Sequence, residues 1–148
     1  MNRFITYVLC AAVTTAAVSS QAAAHSKVAP ADEYFGKLKM SILGIRNTIK
    51  DVGANIEIDP ARWESLVNKA DFTEDALHDW QHKYPADTWL PKMVFALERM
   101  YAKADNAEGR RRRFAAIVWL VHDFPDTCYA KAGKQDIEGG HATNAVCE

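Results

Sequence analysis

Cysteine is scarce in this 148-residue chain: there are three, and no two of them stand two residues apart. The paired spacing that closes a small structural metal site is therefore missing. No glycine-rich phosphate loop occurs. Beyond residue 24 the only serines are Ser26, Ser41 and Ser65, and none lies in a nucleophile-elbow context. Neither sign of charge dominates, with 18 Lys+Arg against 19 Asp+Glu. That removes the basic field of nucleic-acid-binding domains, so no nucleic-acid partner is expected. Sustained apolar–polar alternation is absent too, which argues against sheet.

One long apolar run is present, and it comes first. Arg3 precedes Phe4 to Val18, which carry no charge, and Ala22-Ala23-Ala24 has the small-residue pattern that signal peptidases cut. Residues 1–24 read as a secretory signal peptide, too short to stay as a membrane span and with no stop-transfer segment behind it. The expected mature chain starts near His25, periplasmic or secreted, with no transmembrane span. Its roughly 124 residues suffice for one domain with one core. Without Arg3 the charge is near −2. Cys10 lies in the leader, and the large Val8 and Leu9 before it do not suit lipoprotein processing. Cys128 and Cys147 remain as an even pair in an oxidising compartment, which predicts a disulfide. Its loop of about twenty residues would stabilise the fold by about 3 kcal/mol on the loop-entropy account.

Residues 25–31 read as a linker, 32–128 as a helical domain, and 129–148 as a tail tied by the disulfide. Phe35, Leu38, Ile42, Ile45, Ile49 and Val52 recur every three or four residues, which predicts a helix capped by Asp32 and stopped at Gly53. Gly36 and Gly44 lie on one face of that helix and imply close approach of a neighbour. Asp59-Pro60 opens a short helix carrying Trp63, Leu66 and Val67. Asp71-Phe72-Thr73-Glu74 reads as a capping box that starts another, with stripe Ala76, Leu77, Trp80 and Tyr84 and an end at Pro85. Asp87 can cap the next helix, with Pro91 in its first turn and Leu90, Val94, Leu97, Tyr101 and Ala104 facing the core. A break at Asp105-Asn106 leads to a last helix of Phe114, Ile117, Val118, Val121 and Phe124, ended by Pro125. The prediction is an all-α fold of about five helices, stacked as antiparallel hairpins or an irregular bundle.

Tyr84-Pro85 and Phe124-Pro125 each close a helix forty residues apart. Trp89 and Tyr129 sit at one offset after them, and Trp80 and Leu120 at one offset before. Proline stops the helix, and the large rings are expected to clamp the bend against a neighbouring pair. Over residues 72–129 this pattern resembles the tetratricopeptide-type helical repeats of exported bacterial proteins. Ala76, Leu77, Trp80 and Tyr84 stand where such a unit's first helix packs, and Tyr101 where its second does. The Trp-Leu-Gly-Tyr signature is absent, and about one and a half units are visible. The resemblance implies a short helical array that binds a protein partner in the envelope, with no chemistry and no cofactor of its own.

Three constellations remain. His78 and His82 stand at i and i+4, the spacing of a zinc-protease helix, but Asp79 replaces its glutamate and is a methylene too short to serve as well. No third ligand follows at a motif-like distance, although His122, Asp123 and His141 are present. With Asp75 they lie opposite the Leu77–Trp80–Tyr84 stripe, so a solvated polar face is the leading reading and a metal-binding protein or metal-dependent hydrolase the alternative. Arg110, Arg111, Arg112 and Arg113 fan around one helix. They read as surface ion pairs or, failing that, as a weak contact for an anionic partner such as lipid headgroups. Trp63, Trp80, Trp89 and Trp119 read as packing residues.

Overall fold

The computed structural model describes residues 28–139 and Cys147. The expected signal peptide, and the tail apart from its beginning and Cys147, lie outside these residues. The described chain is a small helical bundle with one very short hairpin, β1 (Tyr34–Phe35) and β2 (Met40–Ser41), ahead of five helices. These are α1 (Ile42–Ile58), α2 (Trp63–Lys83), α3 (Leu90–Tyr101), α4 (Ala107–Asp123) and α5 (Cys128–Ile137), with one 3-10 turn at Pro60–Arg62. Short connections fold each helix back on its predecessor. Val94 of α3 meets Leu120 of α4, while Glu98 meets Arg113, as an antiparallel pair requires. Among the described residues no helix is long and apolar enough to cross a membrane.

The predicted helix from Asp32 is replaced by the hairpin. The chain turns at Gly36 (φ 68°) and Lys39 (φ 51°), pairing Tyr34 with Ser41 and Phe35 with Met40. Side chains on α2 explain the turn. Phe35 is fully buried, stacked on Trp80 at 5.2 Å and edge-on to Tyr84 at 6.1 Å. Asp79 accepts the Gly36 N–H and Asp75 the Lys37 N–H, each at 2.8 Å. A helix through these residues would have lost both bonds. Gly36 does mark a close approach, because a Cβ there would stand 2.8 Å from Ala76 Cα. It does so in a turn and not on a helix face. α1 then starts at Ser41, whose Oγ accepts the Gly44 N–H, and runs through Gly53 to Ile58.

Two further boundaries move. α2 is one unbroken helix of 21 residues, so the predicted capping box does not start a helix. Thr73 is wholly buried and its hydroxyl donates to the Lys69 carbonyl at 2.7 Å, an interior arrangement. Trp63, Ala70, Thr73, Leu77 and Trp80 form a continuous buried stripe that overrides the local capping preference. Beyond Pro125 the expected tail begins as α5. Thr127 caps it, and Ala130, Ala132 and Gly133 pack it on the bundle. A Cβ on Gly133 would lie 3.2 Å from Ile117 Cγ2, so the fit relies on small residues that show no large apolar stripe. Cys128, at the start of α5, is bonded to Cys147.

α3 is the centre. It touches each of the other four helices, and Leu90, Val94 and Leu97 are fully buried on it. The two proline turns, which follow α2 and α4, share the same pair of backbone hydrogen bonds. The Tyr84 N–H reaches the Trp80 carbonyl and the Asp87 N–H reaches the Tyr84 carbonyl; forty residues on, Phe124 reaches Leu120 and Thr127 reaches Phe124. The predicted aromatic clamps do not match, however. Tyr129 leans on the Phe95 ring at 5.5 Å, whereas Trp89 is half exposed.

Asp87 accounts for that difference. It is buried and accepts three N–H groups: Ala29 N at 2.9 Å and Trp80 Nε1 at 3.0 Å on Oδ2, and Trp89 N at 2.9 Å on Oδ1. One carboxylate thus ties the N-terminal segment, α2 and the start of α3 together. Replacing it with alanine strands buried donors, each costing about 1–3 kcal/mol. Asp87→Ala is expected to lower unfolding free energy by at least about 3 kcal/mol in urea melts. A loss below about 1 kcal/mol would show that the carboxylate is dispensable.

Candidate interaction site

Above Asp87 lies a groove of about 330 Å³ lined by Val28, Ala29, Ala31, Ile42, Leu43, Arg46, Asp87, Trp89 and Met93. Its walls are the N-terminal segment, the first turns of α1 and the start of α3. Three of its large apolar side chains face solvent, with Val28 46%, Leu43 58% and Trp89 50% exposed. Lys92 Nζ stands 5.6 Å from the Trp89 ring centre, a cation–π contact. The groove is preformed, because the Trp89 N–H and the Ala29 N–H are fixed on the same carboxylate. Trp63 and Trp80 are buried as predicted and Trp119 is half-buried; Trp89 is the exception. The sequence signal for it was available: a tryptophan directly before Leu90-Pro91, at a helix start where a side chain can point outward.

The four arginines divide. Arg112 is drawn inward beside the rings of Trp63 and Tyr101, at 5.8 and 5.9 Å, and pairs with Asp71 and Glu108. Arg113 Nε donates to Glu98 Oε1 at 2.6 Å, and its Nη2 meets Asp136 Oδ2 at 3.1 Å. Arg99 completes this layer, 3.2 Å from Glu98 Oε2 and 3.0 Å from Asp136. Burial pushes the Glu98 carboxyl above its ordinary range, and Arg113 and Arg99 pull it only part of the way back. The same contact with Glu98 raises Arg113. Arg110 and Arg111 remain exposed, and among the described residues Arg110 makes one loose ion pair, with the exposed Asp105 at 3.5 Å.

His78 and His82 are exposed, as the stripe analysis predicts. The His78 ring is stacked on Trp119 at 4.0 Å with the planes 14° apart. Gln81 joins the same layer, accepting from Trp119 Nε1 at 2.6 Å and donating to Asp123 at 2.7 Å. Asp123 also contacts His122, and the Gln81 bond is the main reason its carboxyl is held below the ordinary range. Among the described residues no three His, Cys, Asp or Glu side chains form a group that could hold a metal ion. His141 lies outside them. The polar layer joins α2 to α4.

No protein-family profile, no curated protein and no solved structure matches this chain. Any functional reading therefore rests on the groove, the charge layers and the sequence.

Removing Arg113 leaves Glu98 buried beside one cation fewer, and breaking a buried pair this way costs about 3–5 kcal/mol. Glu98 has a folded-state pKa above its unfolded value, so its unfavourable contribution is full above the raised pKa and fades as pH falls through it. Arg113→Met is therefore expected to lose several kcal/mol at pH 7 and to recover part of it at pH 5. Urea melts at the two pH values check this, and an equal deficit at both would contradict it.

Proposed function

We propose that the protein is an exported, non-enzymatic interaction module of the bacterial periplasm that binds another protein through the Trp89 groove. The observation that carries this reading is a half-exposed tryptophan held over a preformed apolar groove. Tryptophan and arginine are the side chains most often found at the energetic centre of protein interfaces, and Arg46 lies in the same groove. The shifted Glu98 and Arg113 are spent on an ion pair between α3 and α4, and neither lies in the Trp89 groove, which supports a binding role for that groove over acid–base chemistry. The leader-like first 24 residues and the cysteine pair support export. The tetratricopeptide-type resemblance over residues 72–129, joined by the repeated proline turn, supports a binding scaffold.

A photo-crosslinking amino acid placed at position 43 or 89 in intact cells tests the proposal. One discrete protein adduct is expected from both positions, and none from position 64, which is exposed on α2. Trp89→Ala should weaken capture through position 43 by about thirtyfold or more, the equivalent of a hot-spot loss of about 2 kcal/mol. It should leave thermal stability nearly unchanged, because half of the ring already faces water. Equal adducts from all three positions, or capture indifferent to Trp89→Ala, would overturn the reading.

A further inference from the structure

The outer face of α4 is a second surface, separate from the Trp89 groove. We infer that it docks on the headgroups of an anionic lipid bilayer. From Gly109 to His122 the helix carries no acidic residue. Arg112 and Arg113 are held by Glu108, Asp71, Glu98 and Asp136, so a ligand would have to compete with those ion pairs for them. Arg110 and Arg111 point to solvent, and Arg111 makes no ion pair among the described residues. Beside them Phe114 is 55% and Val118 47% exposed, large apolar side chains on a surface helix. Ile137 of α5, 48% exposed, extends the apolar strip past Phe114 across a shallow groove.

Cations beside outward apolar side chains, on a convex helix face, are what an interfacial surface requires. The rings and methyls enter the headgroup boundary while the guanidiniums stay at phosphate level. The loose Asp105 contact exchanges readily for phosphate, because both groups are solvated. A general electrostatic attraction is excluded by the net charge of the chain, which is slightly negative. Any adsorption to an anionic surface must therefore go through a local patch. Exposed cations and exposed apolar side chains stand side by side on this face, which favours a membrane.

The test is sedimentation of the purified, leader-free protein with vesicles of phosphatidylglycerol and phosphatidylcholine at 50 mM salt. Binding is expected to the anionic vesicles, not to pure phosphatidylcholine, and should be released at 500 mM salt. Arg110→Gln with Arg111→Gln should weaken partition by about twenty-five-fold, at roughly a factor of five per surface cation. Phe114→Ser with Val118→Ser should weaken it as well. Lys50→Gln with Lys69→Gln, on exposed positions of α1 and α2, should leave it unchanged. All four positions in the two α4 variants are exposed, and unaltered circular dichroism verifies that they fold. No partition of the wild type, equal binding to neutral vesicles, or an equal loss in the Lys50/Lys69 variant would overturn the inference. So would a protein crosslinked at Phe114 in cells without any vesicle binding.

Discussion

A single buried carboxylate organises the end of the molecule that carries the candidate site. Asp87 receives hydrogen bonds from the backbone of Ala29 and Trp89 and from the indole of Trp80. Buried charge is costly unless each oxygen is satisfied, and here both oxygens are. The result constrains three pieces of chain that share no continuous secondary structure. It places Ala29 against α1, fixes the bend after Tyr84, and sends the Trp89 side chain outward while Leu90 turns into the core. The groove is thus a by-product of satisfying one acid.

Charge has the same role at the other end of the bundle, in a different form. Glu98 and Asp136 sit between Arg99 and Arg113, so α3, α4 and α5 meet across a compact layer of two cations and two anions. A second layer gathers Asp71 and Glu108 around Arg112, with the Trp63 indole donating to Glu108. Apolar packing in a domain this small leaves little margin, and such layers set the register between helices more than they add net stability. Their consequence is subtractive: they occupy Arg112 and Arg113 and leave Arg110 and Arg111 exposed on the surface.

Much of the fold was legible in the sequence because its signals are local. The stripes through Ile45–Val52, Ala76–Trp80 and Leu90–Tyr101, together with the stops at Pro85 and Pro125, follow from helical periodicity and proline geometry alone. The errors were all tertiary. The hairpin at Tyr34–Ser41 exists because Asp75 and Asp79, some forty residues on, accept its amides, and no local pattern encodes that. Thr73 fits a capping box until its neighbours bury it. α5 packs through Ala130, Ala132 and Gly133, whose size and not their hydrophobicity makes the contact. The candidate site was the least legible part. Trp89 reads as one more packing ring until Asp87 is seen to fill the corner beneath it. Likewise, the difference between Arg111 and Arg113 lies in what α3 and α5 present to them.

The proposed partner groove and the proposed lipid-facing helix lie on different parts of the bundle, and both depend on the Asp87 clamp or the ion layers holding the frame still. The most direct check is native-state hydrogen exchange at the Ala29 amide, the Trp89 amide and the Trp80 indole. The clamp predicts that all three are protected, and that they open together with closely similar free energies. Ala29 and Trp89 exchanging at the rate of unstructured chain, while α3 stays protected, would show that the carboxylate does not hold them and that the groove is not preformed.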